Sequence, residues 1–151
     1  MTLTPRKLNI FIITKLPSAY LCGVRTKHLD EEKCKVGVKY RWINKNPFKS
    51  IFWAVQGMAA EFSTGALMIG KIQESGKRVS MLVTSSNAIF TKKATGKIMF
   101  TCHDGKAIDE ALKRAIETEE GQTLWMKSVG VNEEGIVVST FNFEWSLKIK
   151  K

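Results

Sequence analysis

The sequence predicts one α+β domain: a strongly curved antiparallel sheet wrapped around a single buried helix. Three observations carry that prediction. After Asn46-Pro47 come roughly 20 residues that are apolar or small on nearly every side, and such a helix belongs inside a core. Lys33–Trp42 and Ile136–Ile149 alternate apolar and polar residues at a period of two, as strands with one covered face do. Lys106–Thr118 carries an apolar stripe at helical spacing instead. No internal repeat, linker or low-complexity segment interrupts the chain. Residues 1–151 therefore read as one domain, with 1–22 as an N-terminal helical extension.

In chain order, Leu3–Tyr20 reads as a short helix that puts Leu8, Phe11, Ile12 and Leu16 on one face; Pro17 should end or bend it. Val24–Leu29 suits a short strand and Asp30-Glu31-Glu32 a turn. On Lys33–Trp42 the residues Cys34, Val36, Val38, Tyr40 and Trp42 should face inward, leaving Lys33, Lys35, Gly37, Lys39 and Arg41 on a basic outer face. Asn46 suits the cap of the long helix and Pro47 its first turn. Lys77–Phe90 is the next strand, unusually polar over Thr84-Ser85-Ser86-Asn87. A turn over Lys92–Gly96 leads to the strand Lys97–His103. After the amphipathic helix, Gln122–Val131 and Ile136–Ile149 form a hairpin closed by Asn132-Glu133-Glu134-Gly135.

Composition narrows the function classes. At 151 residues, 44% hydrophobic and 25% charged, the chain can bury a full core. Its net charge of +10 points to nucleic acid, an anionic membrane surface, a phosphate-bearing ligand or simply a solvated basic surface. Cys22, Cys34 and Cys102 are widely spaced and odd in number, so neither a zinc site nor a disulfide framework is indicated, and reduced thiols suit the cytoplasm. Leu8–Leu16 follows Arg6-Lys7 as a signal sequence would, but Lys15 and Pro17 interrupt it. The central helix is long enough to cross a bilayer, yet Gln56, Glu61, Ser63 and Thr64 lie within it, which argues against a membrane span.

The common nucleophile and nucleotide-binding motifs are absent, and His28 and His103 are too isolated to make a metal site. The residue that stands out is Glu61, the one acid inside the apolar helix. Ala54, Gly57, Thr64, Gly65 and Met68 share its face, so glycines flank it at i−4 and i+4. Each glycine costs up to ~1 kcal/mol in a helix interior, which fits a helix that leaves room around a carboxylate. Apolar surroundings should raise the pKa of Glu61. The residue then reads either as a general base or nucleophile, or as a structural acid hydrogen-bonded to its neighbours.

Asn46-Pro47-Phe48 leading into a long helix, with Ala60-Glu61 inside it, resembles the hot-dog fold of acyl-CoA thioesterases. In the phenylacetate-pathway and small human groups of that superfamily, an Asn opens this segment and a helix Asp or Glu follows fifteen places on, as Asn46 and Glu61 do. Phe90-Thr91-Lys92-Lys93-Ala94 is similar to the family's Phe-x-x-Pro-Ala, with Lys93 in the proline's place. The resemblance covers about Val24 to the end, and is to a thioesterase-like branch of the superfamily. It implies that Glu61 activates water or attacks the thioester carbonyl, with Asn46 positioning that water or the substrate. It implies too that Ser80 or Thr84 assists in the partner's half-site, and that Lys92, Lys93 and Lys97 meet the phosphates of coenzyme A, here part of the substrate rather than a cofactor. Hot-dog domains pair, so a homodimer or a dimer of dimers follows. Active relatives carry His-Gly-Gly where this chain has Phe52-Trp53-Ala54, placing Phe52, Trp53, Gly57 and Gly65 against the substrate. The resemblance thus leaves a hydrolase and a non-catalytic acyl or acyl-CoA binder of the same fold both open. Nucleic-acid binding rests only on charge, on Lys33, Lys35, Lys39 and Arg41.

Overall fold

The computed structural model describes residues 2–151. Six strands form one antiparallel sheet in the order β1-β2-β4-β5-β6-β3. They are β1 (Arg25–Leu29), β2 (Cys34–Lys39), β3 (Val79–Phe90), β4 (Lys97–Cys102), β5 (Gln122–Val131) and β6 (Val137–Ile149). The helices are α1 (Pro5–Lys15), α2 (Pro17–Leu21), α3 (Trp53–Ser75) and α4 (Gly105–Thr118). The sheet curves around α3, the arrangement that the hot-dog resemblance implies.

Alternation sets the inner face. Phe141, Phe143, Trp145 and Leu147 of β6 are buried, and so are Cys34, Val36 and Val38 of β2 and Ile98, Phe100 and Cys102 of β4. Against them α3 buries Val55, Ala59, Ala60, Phe62, Ala66, Leu67 and Met68. The N-terminal segment joins the same core through Leu8 and Ile12. Its Asn9 clips α1 to β1, donating to the Thr26 carbonyl at 3.1 Å and accepting from the Thr26 amide at 2.7 Å. Pro17 does break the first helix, into α1 and α2, and starts the second of them.

Three expectations are corrected. The strand from Lys33 stops at Lys39, and Trp42–Asn44 is a 3-10 turn with Trp42 turned out to solvent. Asn44 causes this. Buried, it accepts from the Arg41 amide at 2.9 Å and donates to the carbonyls of Lys39 and Cys22, which turns the chain off the sheet. The central helix starts at Trp53, not beside Asn46. Residues 45–51 instead form a small loop closed by a Lys45–Ile51 bridge, with Lys49 in the left-handed region. Finally, α3 is not covered on every side. In the single chain Trp53 and Glu61 are exposed and Ala54, Gly57 and Met58 half-buried, so one face of the helix stands open.

A buried lysine pins α4 to α3. Lys71, 6% exposed, donates to Asp109 Oδ2 at 2.9 Å. Removing the acid strands the ammonium, while replacing the lysine by an apolar chain does not. Asp109→Ala is expected to lower stability by about 1–2 kcal/mol and Lys71→Met to leave it nearly unchanged, as read by denaturant midpoints.

Candidate functional site

Glu61 sits on the open face of α3, where two cavities meet. One is an apolar groove of about 180 Å³ between α3 and the N-terminal helices, walled by Phe11, Leu16, Met58, Phe62, Met81 and Trp145. The other is a broader cleft of about 530 Å³ bordered by Trp53, Gly57, Ser86, Asn87, Phe90 and Phe141. Glu61 as a residue reaches solvent, yet its carboxyl lies among apolar walls, and that desolvation raises its pKa above the ordinary 4.5. The flanking glycines each line one cavity, Gly57 the cleft and Gly65 the groove. They also seat aromatic rings of β6. A Cβ on Gly57 would meet Phe141 at 3.5 Å, and one on Gly65 would meet Trp145 at 3.4 Å.

The start of α3 is the second element of the site. Phe52 precedes it, and no side chain caps its first amides. The amides of Val55 and Gln56 are spent on the Phe52 carbonyl, at 3.0 and 3.2 Å. An uncapped N-terminus of a 23-residue helix presents N–H groups and the positive end of its dipole to any anion or polarised carbonyl nearby. The rings of Phe52 and Trp53 stand beside it, edge to face at 6.0 Å. A third cavity, of about 450 Å³, adjoins this end and shares Trp53 and Phe90 with the Glu61 cleft. Lys92 and Lys93 line it, with Asn46 and Phe48.

Residues 6–147 match the model of a family described as a domain of unknown function, DUF4442. The chain belongs to the DUF4442 family. No curated protein matches it in sequence. Among solved structures it is similar to a Pseudomonas aeruginosa protein of unknown function named a probable thioesterase, at 19% identity over 97% of both chains with a TM-score of 0.82. A Chlorobaculum tepidum protein of unknown function is 18% identical over 99% of both chains, also at 0.82. A Haemophilus influenzae thioesterase is 13% identical over 99% of this chain and 93% of its own, at 0.76. At these identities the likeness shows the fold, and the fold is the hot-dog fold of the thioesterases.

Within this DUF4442 chain the remaining predicted site residues scatter. Asn46 does not face Glu61. Its Oδ1 accepts from the amides of Phe48 and Ser50, at 2.9 and 3.2 Å, and its Nδ2 donates to Ser50 Oγ at 3.0 Å, so it holds the 46–50 loop. Ser80 points outward on β3, and Thr84 donates to Glu144 Oε1 at 2.7 Å; neither borders a cavity with Glu61 of its own chain. A β-bulge between Val83 and Ser85 shifts the register, so Ser86 stands opposite buried Phe143 at the cleft, while Asn87 accepts from Asn142 Nδ2 at 2.9 Å on the outer face. Lys97 lies apart from Lys92 and Lys93. It joins Arg25, Lys27 and Lys39 along a separate cleft of about 400 Å³.

Sequence reasoning also missed the buried polar bonds that fix α3 to the sheet. Gln56 accepts from Ser139 Oγ at 2.8 Å, Ser63 bonds Ser128 at 2.7 Å, and Trp145 Nε1 donates to Thr64 Oγ1 at 2.9 Å. The partners lie far apart in the chain, and no local pattern signals them. Of the cysteines, Cys34 and Cys102 are free and buried side by side on β2 and β4, and burial pushes the Cys34 thiol up to about 12. That disfavours the reactive thiolate. Among the described residues no helix is long and apolar enough to cross a membrane. Nor do any three His, Cys, Asp or Glu residues gather to hold a metal ion.

Proposed function

We propose that the protein hydrolyses acyl-CoA-type thioesters in the cytoplasm, at a site that two copies of the chain complete together. The observation that carries the reading is the position of Glu61. Its carboxyl lies between an apolar groove suited to an acyl chain and an open cleft that continues to Lys92 and Lys93, suited to the phosphates of coenzyme A. A thioester lying along that path places its carbonyl beside Glu61, which takes a proton from the attacking water.

A single chain lacks one part. The backbone of Glu61 stands eight residues beyond Trp53, a rise of about 12 Å along α3, which places the free amides at its own helix start poorly to share one carbonyl with it. A second copy supplies the missing end. β3 is a sheet edge of 12 residues without a charge or proline, and Leu82, Ile89 and Phe90 are exposed along it. Such an edge pairs readily with its own copy. Pairing there covers the open face of α3 and brings the helix start of one protomer toward Glu61 of its partner, so that the amides polarise the carbonyl while the carboxylate activates water.

One observation favours a second reading, binding without turnover. Phe52 and Trp53 crowd the helix start, where the resemblance puts His-Gly in active relatives. A panel of acyl-CoAs of increasing chain length separates the two. The hydrolytic reading expects free thiol released in proportion to enzyme and saturating with substrate. Tight binding of the same thioesters without thiol release would replace it with the binding reading, and neither binding nor release would sink both.

A further inference from the structure

A second surface adjoins that site. The residues from Trp42 to Phe48 expose three large apolar side chains, Trp42 at 81%, Ile43 at 48% and Phe48 at 66%. Exposure here is built in. Buried Asn44 fixes the turn behind Trp42, and the Lys45–Ile51 bridge and the Asn46 side chain hold Phe48 at the tip of its loop. Leu21, 62% exposed, borders the same region, because Arg41 donates to its carbonyl at 3.4 Å.

The stretch of chain that carries the apolar tip holds charges of one sign. From Lys33 to Ala60 there is no acid, while Lys33, Lys35, Lys39, Arg41, Lys45 and Lys49 are all basic. A second acid-free stretch, Ser75 to His103, contributes Lys92 and Lys93, and Lys93 Nζ reaches the Phe48 carbonyl at 3.3 Å. Aromatic side chains on a fixed projection that also carries Lys45 and Lys49 match the layered chemistry of an anionic bilayer. Trp is favoured at the headgroup level and lysines are drawn to lipid phosphates.

We propose that the 42–49 loop docks the protein on an anionic phospholipid surface. Trp42 and Phe48 enter the headgroup layer, and Lys45 and Lys49 lie on the phosphates. Single-stranded nucleic acid fits the same surface less well, since exposed Ile43 and Leu21 offer no ring for a base to stack on. Docking goes beyond the thioester reading and does not depend on it.

Flotation of the full chain with vesicles of phosphatidylcholine alone, or with about 30 mol% phosphatidylglycerol, tests the proposal. The chain is expected to bind the anionic vesicles at least about tenfold better, and to be released by high salt. Trp42→Ser with Phe48→Ser should lower that binding about tenfold with melting temperature and sedimentation unchanged. Lys45→Glu with Lys49→Glu, which leaves the aromatic residues in place, should lower it as well. Equal affinity for both vesicles, full binding by the serine variant, or tighter aromatic-dependent binding to an oligonucleotide would overturn the proposal. So would a change of oligomeric state in the serine variant, which would make the loop an interface between copies.

Discussion

Glu61→Gln is expected to lower acyl-CoA turnover by about 10²–10⁴, with KM little changed, because the amide keeps the size and hydrogen-bonding reach of the carboxyl and loses only its basicity. The pH dependence adds a signature. Desolvation raises the Glu61 pKa, so the wild-type rate should climb with pH along a limb above the ordinary 4.5. Stability should move the opposite way. A raised carboxyl pKa favours the folded state while the group is protonated, and that contribution is lost as pH rises through the folded value. At neutral pH the glutamine variant should therefore melt no lower than the wild type, and slightly higher if anything. Lost turnover with retained melting temperature assigns Glu61 to chemistry. Lost turnover with a lowered melting temperature would return it to the structural role that the sequence also allowed.

The largest effect on folding is expected at Gly105→Ala. Gly105 opens α4 against the turn between β1 and β2, donating its amide to the Glu32 carbonyl at 3.1 Å. A Cβ there would lie 2.0 Å from the Glu31 carbonyl oxygen and 2.9 Å from Glu32 Cα, both backbone atoms. The turn is poorly placed to yield. Asp30 Oδ1 accepts from the amides of Glu32 and Lys33, at 2.8 and 2.9 Å, and Asp30 Oδ2 meets His28 Nε2 at 2.6 Å. Those same bonds hold the Asp30 carboxyl far below the usual range, the bond from His28 most of all. A methyl group at Gly105 must therefore displace α4 or the turn, and a loss of about 3–5 kcal/mol or outright failure to fold should follow. A denaturant midpoint within about 1 kcal/mol of wild type would contradict so close an approach.

The residues most easily read from sequence were those whose partners are periodic. Phe141, Phe143, Trp145 and Leu147 alternate into the core as their spacing demands, and Ile108, Ala111, Leu112 and Ala115 put the apolar side of α4 inward. Misreadings arose where a side chain overrides its local pattern. Asn46 has the chemistry of a helix cap, but its oxygen serves the amides of a loop that ends before the helix begins. The true position before α3 is Phe52, which has no polar atom to advertise the start. Asn44 ends β2 by capturing carbonyls that a longer strand would have used.

The candidate site was legible in its central residue and not in its surroundings. An acid in an apolar helix announces Glu61. That it faces an open side instead of a closed core depends on β3 being the last strand of the sheet, a matter of strand order that no window of sequence contains. The bulge after Val83 moves Ser86 to the inner side of β3, opposite buried Phe143, where unbroken alternation from Val79, Met81 and Val83 would put Ser85. Phe52 and Trp53, which open the apolar stretch assigned to the core, lie at the surface beside the helix start.

The most direct test of a two-chain site places charges on the β3 edge without touching the residues around Glu61. Leu82 and Ile89 are exposed, and neither borders the groove or the cleft. Leu82→Lys with Ile89→Lys should yield a folded monomer by sedimentation, since paired edges cannot bring like charges together. With turnover measured on the same sample, the account predicts a loss of at least about 10² although Glu61 is intact. A monomer that hydrolyses acyl-CoA at the wild-type rate would contradict it.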